Sequence, residues 1–109
     1  MAKLYFRYGA MNSGKSTALM QVAHNYEEQG MRVLILKPQA VRTANADGAP
    51  LACVLCDESQ FFTAQQAEQL FMVTVDLNIP VICYGLRADF SLKGFPGSTR
   101  LLELAHTIE

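Results

Sequence analysis

An excess of charge of one sign is missing from this sequence. Nine Lys plus Arg stand against ten Asp plus Glu, a formal net charge of −1, so no general attraction to nucleic acid or to an anionic membrane is expected. Long hydrophobic runs are missing too, since none approaches the ~18 residues of a membrane span. The opening Met1-Ala2-Lys3-Leu4-Tyr5-Phe6 begins to alternate too early for a signal peptide with a cleavage site. These absences predict a soluble, cytoplasmic protein. Cysteine is scarce: Cys53, Cys56 and Cys83 are an odd number set inside apolar runs, which argues for buried, reduced thiols and against a disulfide framework. Cys53 and Cys56 have C-x-x-C spacing, but strand residues three apart face opposite ways and cannot grip one metal. Internal repeats and low-complexity segments are also lacking.

What is present is ordinary globular composition, 50% hydrophobic and 17% charged over 109 residues. That length fits one domain, residues 1–109, and buries roughly two-thirds of the unfolded chain's surface. Short apolar runs alternate with amphipathic stretches, the pattern of a parallel sheet flanked by helices. Leu4 to Tyr8 reads as a strand. A helix from about Lys15 to Gln29 follows, with Leu19, Val22, Ala23 and Tyr26 on one face and Gly30 as its C-terminal cap. Val33 to Leu36 is a second strand, ended by Pro38. Residues 39–50 show no period and read as a loop. Cys53 to Cys56 is a short strand buried on both faces. Thr63 and Gln66 make a capping box for a helix through about Leu77, which Asn78-Ile79-Pro80 ends. Val81 to Tyr84 is another buried strand. After a glycine-bearing loop, Leu101, Leu104, Ala105 and Ile108 form the apolar face of a last helix. The expected architecture is a three-layer α/β domain with a mainly parallel sheet of about four strands.

Two segments carry chemistry. Gly9-Ala10-Met11-Asn12-Ser13-Gly14-Lys15-Ser16 is G-x-x-x-x-G-K-S between a strand and a helix. Its glycines let backbone amides turn toward phosphate oxygens, and the helix N-terminus adds its positive dipole end. Lys15 supplies charge for the β and γ phosphates, and the Ser16 hydroxyl ligates magnesium. The fold class is therefore that of a P-loop NTPase. Asp57 and Glu58 end the third apolar run. Asp57 suits magnesium held through water, and Glu58, on the other side, suits a general base for an attacking hydroxyl. His24 and His106 have no triad-like partners, and Lys93 and Arg100 read as solvated charges.

Three blocks, Lys3 through Thr17, Cys53 through Phe62 and Pro80 through Phe90, together with Phe95 to Ser98 and the final helix, resemble the type II thymidine kinases over most of the chain. The resemblance implies a kinase core that transfers the γ-phosphate of ATP, with Mg2+, to the 5′-hydroxyl of thymidine. It implies that Glu58 is the catalytic base. The nucleotide would meet Gly9, Ala10, Met11, Asn12, Ser13, Gly14, Lys15, Ser16, Thr17, Asp57, Glu58, Ser59 and Gln60, with Ser16 and Asp57 serving the metal. Met11, Phe61, Leu86 and Phe90 would line an apolar slot for the pyrimidine. A homo-tetramer or another homo-oligomer is implied as well.

Departures from the family are equally specific. Members carry several dozen more residues between the second strand and the Asp-Glu strand, including an Asp-x-Arg-like segment near the phosphates. Here Lys37 to Thr43 has no acid in that place, and Arg42 sits in a poorly matching context. The family continues past the last helix into a zinc ribbon and a lasso-like loop. This sequence stops at Glu109 without those zinc ligands, so it is either part of a longer chain or a reduced core. Two other functions stay open from the residues: a module that binds ATP and transfers nothing, and a P-loop ATPase in which Glu58 activates water.

Overall fold

A computed structural model describes residues 2–8, 15–37, 40–44, 51–85 and 96–108. Five of its six strands are parallel or join a parallel pair, and one edge strand is antiparallel. In chain order the strands are β1 (Leu4–Tyr8), β2 (Arg32–Lys37), β3 (Ala40–Ala44), β4 (Leu51–Cys56), β5 (Val81–Gly85) and β6 (Thr107–Ile108). They lie side by side as β3-β2-β4-β5-β1-β6. Three helices, α1 (Lys15–Glu28), α2 (Ala64–Asp76) and α3 (Pro96–Leu104), cover the two faces. Among the described residues no helix is long and apolar enough to cross a membrane.

The alternation of strand side chains divides the core in two. Leu4, Phe6, Val54, Cys56, Val81 and Cys83 pack with Ala67 and Leu70 of α2 and Leu101 of α3. Val33, Ile35, Cys53, Leu55, Ile82 and Tyr84 pack with Leu19 and Ala23 of α1. Cys53 and Cys56 thus fall on opposite faces of β4, as their spacing requires. All three cysteines are free and buried. β5 is buried along its whole length, which is why its sequence runs apolar without alternation.

Local signals set the helix ends. Gly30 takes φ +72, the left-handed position that favours glycine after a helix. There the Met31 N–H donates to the Tyr26 carbonyl at 3.0 Å and the Gly30 N–H to that of Glu27 at 2.9 Å. At α2 the Gln66 N–H donates to Thr63 Oγ1 at 3.0 Å, and the Thr63 N–H to Gln66 Oε1 at 2.8 Å.

Three expectations are corrected. Among the described residues the sheet has six strands instead of about four. Part of the aperiodic 39–50 stretch forms β3, which pairs antiparallel with β2 from Val33↔Ala44 to Lys37↔Ala40. An edge strand is held by its backbone ladder and needs no apolar alternation, so its sequence gave no signal. The last helix ends at Leu104, and Ile108 belongs to β6 instead of its apolar face. The open edge of β1 decides this. The His106 N–H donates to the Leu4 carbonyl at 2.9 Å, and the Leu4 N–H donates to His106 Nδ1 at 2.9 Å. The imidazole also stacks on Phe71, with ring centroids 5.4 Å apart. Backbone groups on a sheet edge seek partners, and here they outweigh a helical period of four residues.

Candidate active site

Because β1, β5, β4 and β2 run parallel, their C-terminal ends share one edge of the sheet, with Tyr8↔Gly85, Cys56↔Cys83 and Leu36↔Cys56 in register. Ligands of open α/β sheets bind outside that edge. β1 ends at Tyr8 and α1 starts at Lys15, so the glycine-rich segment joins a strand end to a helix N-terminus at this edge. Gly9, Ala10, Met11, Asn12, Ser13 and Gly14 themselves lie outside the described residues, as do Leu86 and Phe90. Lys15, Ser16 and Thr17 open α1, and Gln60 lies in the turn after β4, with side chains outside the description.

The two acids are described. Asp57 follows β4 directly and is 9% exposed. Its N–H donates to the Leu36 carbonyl of β2 at 2.8 Å, and its Oδ1 accepts from the Glu58 N–H at 2.9 Å. Lys37, the last residue of β2, brings its ammonium Nζ to 3.9 Å from Asp57 Oδ2. Glu58 is exposed and adopts φ 51, ψ 42, a left-handed backbone that disfavours any residue with a Cβ. A short 3-10 turn follows from Ser59 to Phe61.

That turn separates two adjacent phenylalanines. Phe62 is buried in the core beside α2, whereas Phe61 is 58% exposed at the candidate edge. Phe61 thus stands outside the core, at the end of the turn that follows Glu58. Ser59 is 0% exposed, and its hydroxyl donates to the Tyr84 carbonyl at 2.9 Å. Tyr84 is tied in turn to β1: Arg7 Nη1 donates to its phenolic oxygen at 3.1 Å, and the guanidinium carbon lies 5.8 Å from the ring centroid.

β5 stands between β4 and β1. Asp57 is therefore two inter-strand steps from the strand that leads into the glycine-rich segment, about 10 Å at ~4.8 Å per step. Strand order is not written in any local pattern, and Lys37, Tyr84 and Arg7 were not singled out by sequence reasoning for that reason. Arg42 lies in β3. His24 pairs with Glu28 on the exposed side of α1. Arg100 is held by Glu68 and Glu103, each at 3.2 Å. Among the described residues, no group of three or more His, Cys, Asp or Glu could hold a metal ion.

The sequence model of the family "TK: Thymidine kinase" matches residues 2–48 and 39–109 of the chain. The chain is 43% identical to a thymidine kinase of Chromobacterium violaceum, an alignment that takes in 100% of this chain and 73% of that protein. It is 44% identical to a thymidine kinase of Xanthomonas campestris, over 100% of the chain and 67% of that protein. A thymidine kinase of Yersinia pseudotuberculosis is 41% identical over 96% of the chain and 69% of its own length. The Chromobacterium alignment runs to 134 positions, 25 more than the 109 residues present here. The two family-matched stretches meet at 39–48, between β2 and β4, where the family's additional residues were expected.

Proposed function

We propose that this chain, which belongs to the thymidine kinase family, transfers the γ-phosphate of ATP to the 5′-hydroxyl of thymidine. The observation that carries the reading is Glu58, an exposed carboxylate in left-handed backbone, at the sheet edge where the segment between β1 and α1 emerges. The phosphates would lie against the amides of residues 9–14 and the ammonium of Lys15. Phe61, with Met11, Leu86 and Phe90, would hold the pyrimidine. Thymidine O5′ would form the new bond to Pγ as the bond from Pγ to the bridging oxygen breaks and ADP leaves. The Glu58 carboxylate would take the O5′ proton. Most of the acceleration would come from positioning and charge neutralisation.

The donor chemistry fits Mg2+. Asp57 offers a carboxylate oxygen, Oδ2, that faces the Lys37 ammonium at 3.9 Å. Mg2+ keeps several waters and takes only one or two carboxylates beside substrate phosphates, so a set of three protein acids is not required. Asp57 would hold the ion through water and Ser16 through its hydroxyl. When bound, the ion supplies neutralisation of phosphate charge.

Thymidine-dependent ADP release from ATP and Mg2+, with Glu58→Gln alongside, tests the reading. The expected outcome is a fall in kcat of at least ~100-fold in the variant, the scale of general-base catalysis, with ATP affinity retained. ADP formed equally fast without thymidine would replace this reading with an ATPase. ATP bound without turnover would leave a nucleotide-binding module.

A further inference from the structure

We propose that Ser59 is a positioning residue for Glu58, tying the acidic turn across the end of β5 toward β1. The proposal rests on the reading of Glu58 as the base that accepts the O5′ proton. β4 and β1 are not neighbours, and β5 lies between them. A turn leaving β4 therefore needs a tether to lean over β5. Ser59 supplies one: its hydroxyl, fully buried, donates at 2.9 Å to the carbonyl of Tyr84, one residue before the end of β5. On the other side, the Asp57 N–H is fixed to the Leu36 carbonyl of β2 at 2.8 Å.

Between these anchors sits Glu58, at φ 51 and ψ 42. A non-glycine residue stays in that region only when its surroundings over-determine it. Asp57 contributes by accepting the Glu58 N–H at Oδ1, and the Glu58 carbonyl accepts the Phe61 N–H at 3.1 Å. Of these ties, only that of Ser59 reaches β5. The Tyr84 ring is itself fixed by the Arg7 guanidinium of β1, the strand that runs into the glycine-rich segment. Base, tether and phosphate-binding strand are thus joined by protein contacts alone. With its hydroxyl spent on the Tyr84 carbonyl, the Ser59 side chain acts on O5′ through Glu58.

A double-mutant cycle with a structural readout tests this. Ser59→Ala is expected to lower kcat about tenfold with ATP affinity unchanged, within the loss a misplaced catalytic group produces. In the Glu58→Gln background the same substitution is expected to lower kcat no further, since its effect passes through the carboxylate. An equal loss in both backgrounds would overturn the proposal. Backbone NMR couplings and carbon shifts at residue 58 provide the arm independent of turnover. Ser59→Ala is expected to move Glu58 out of the left-handed region, and an unchanged conformation would overturn the tether. Glu58→Gln without any loss would end the base reading instead, and the couplings would still decide the tether. If the alanine variant does not fold, Ser59→Cys, a much weaker donor, takes its place in both measurements. A smaller change is then expected, and no change in either measurement overturns the proposal.

Discussion

Lys37 and Asp57 meet across the ends of two neighbouring parallel strands, ammonium Nζ 3.9 Å from carboxylate Oδ2. The Lys37 side chain is 54% exposed and that of Asp57 12%, so a flexible cation leans over a carboxylate set into the sheet edge. Such a contact is long and partly solvated, worth about 0.2–1 kcal/mol. Its importance lies in competition, because the same oxygen is the one proposed to face the water shell of Mg2+.

Lys37→Met should therefore lower the Mg2+ concentration at half-saturation by about 1.4- to 5-fold, the equivalent of that energy. Titration of ATP binding against Mg2+ measures it directly. A higher half-saturation point would show that the ammonium assists the nucleotide rather than competing for Asp57.

At Glu58 backbone stability and the proposed role as base pull in opposite directions. A left-handed backbone disfavours a residue with Cβ by about 1–2 kcal/mol, while glycine gives back roughly 0.5–1 in unfolded-chain entropy. Glu58→Gly should then stabilise the fold by about 0.5–1 kcal/mol, a rise in Tm of a few degrees, while thymidine phosphorylation collapses. A fall in Tm would mean that the Glu58 side chain contributes contacts that outweigh its backbone strain.

The buried thiols predict an alkaline limit. Burial pushes the Cys53 thiol from 9.0 up to about 11, and the Cys83 hydrogen bond followed by burial holds Cys56 well above the usual thiol range. The native state keeps these protons where the unfolded chain releases them, so stability is whole below pH ~9 and declines as pH rises toward about 11. Thermal melts across that interval should show the decline, with a shallower slope in Cys53→Ala. An identical slope in that variant would remove Cys53 as a contributor.

Much of this was legible from local pattern. Gly30, the Thr63–Gln66 box and the buried runs of β4 and β5 each reflect a constraint that acts within a few residues, and each appears in the structure as the sequence implied. The Asp57–Glu58 pair was legible because it ends such a run. β3 and β6 were not: β3 is held to β2 by its backbone ladder without apolar alternation, and β6 by hydrogen bonds to a strand edge remote in sequence. His106 illustrates the point: an isolated histidine by spacing, it closes β1 through its backbone and its ring. Ser59 could be placed near a nucleotide by resemblance, but its partner Tyr84 is 25 residues away and depends on strand order. Likewise, the exposure of Phe61 beside a buried Phe62 is decided by a three-residue turn.

The place of β1 in the sheet bears on how the chain acquires its fold. β1 precedes β5 and β6 in the sequence, yet it lies between these two strands of residues 81–85 and 107–108. Its ladder to β5 cannot close until residue 85 has been made, and its ladder to β6 until residue 108. Until then Leu4 and Phe6, both fully buried in the finished protein, have no sheet to join. β1, which leads into residues 9–14, thus finds its partners after β2, β4 and α1 have had time to meet, and a nascent chain interrupted before β5 would carry the glycine-rich sequence without that strand in place.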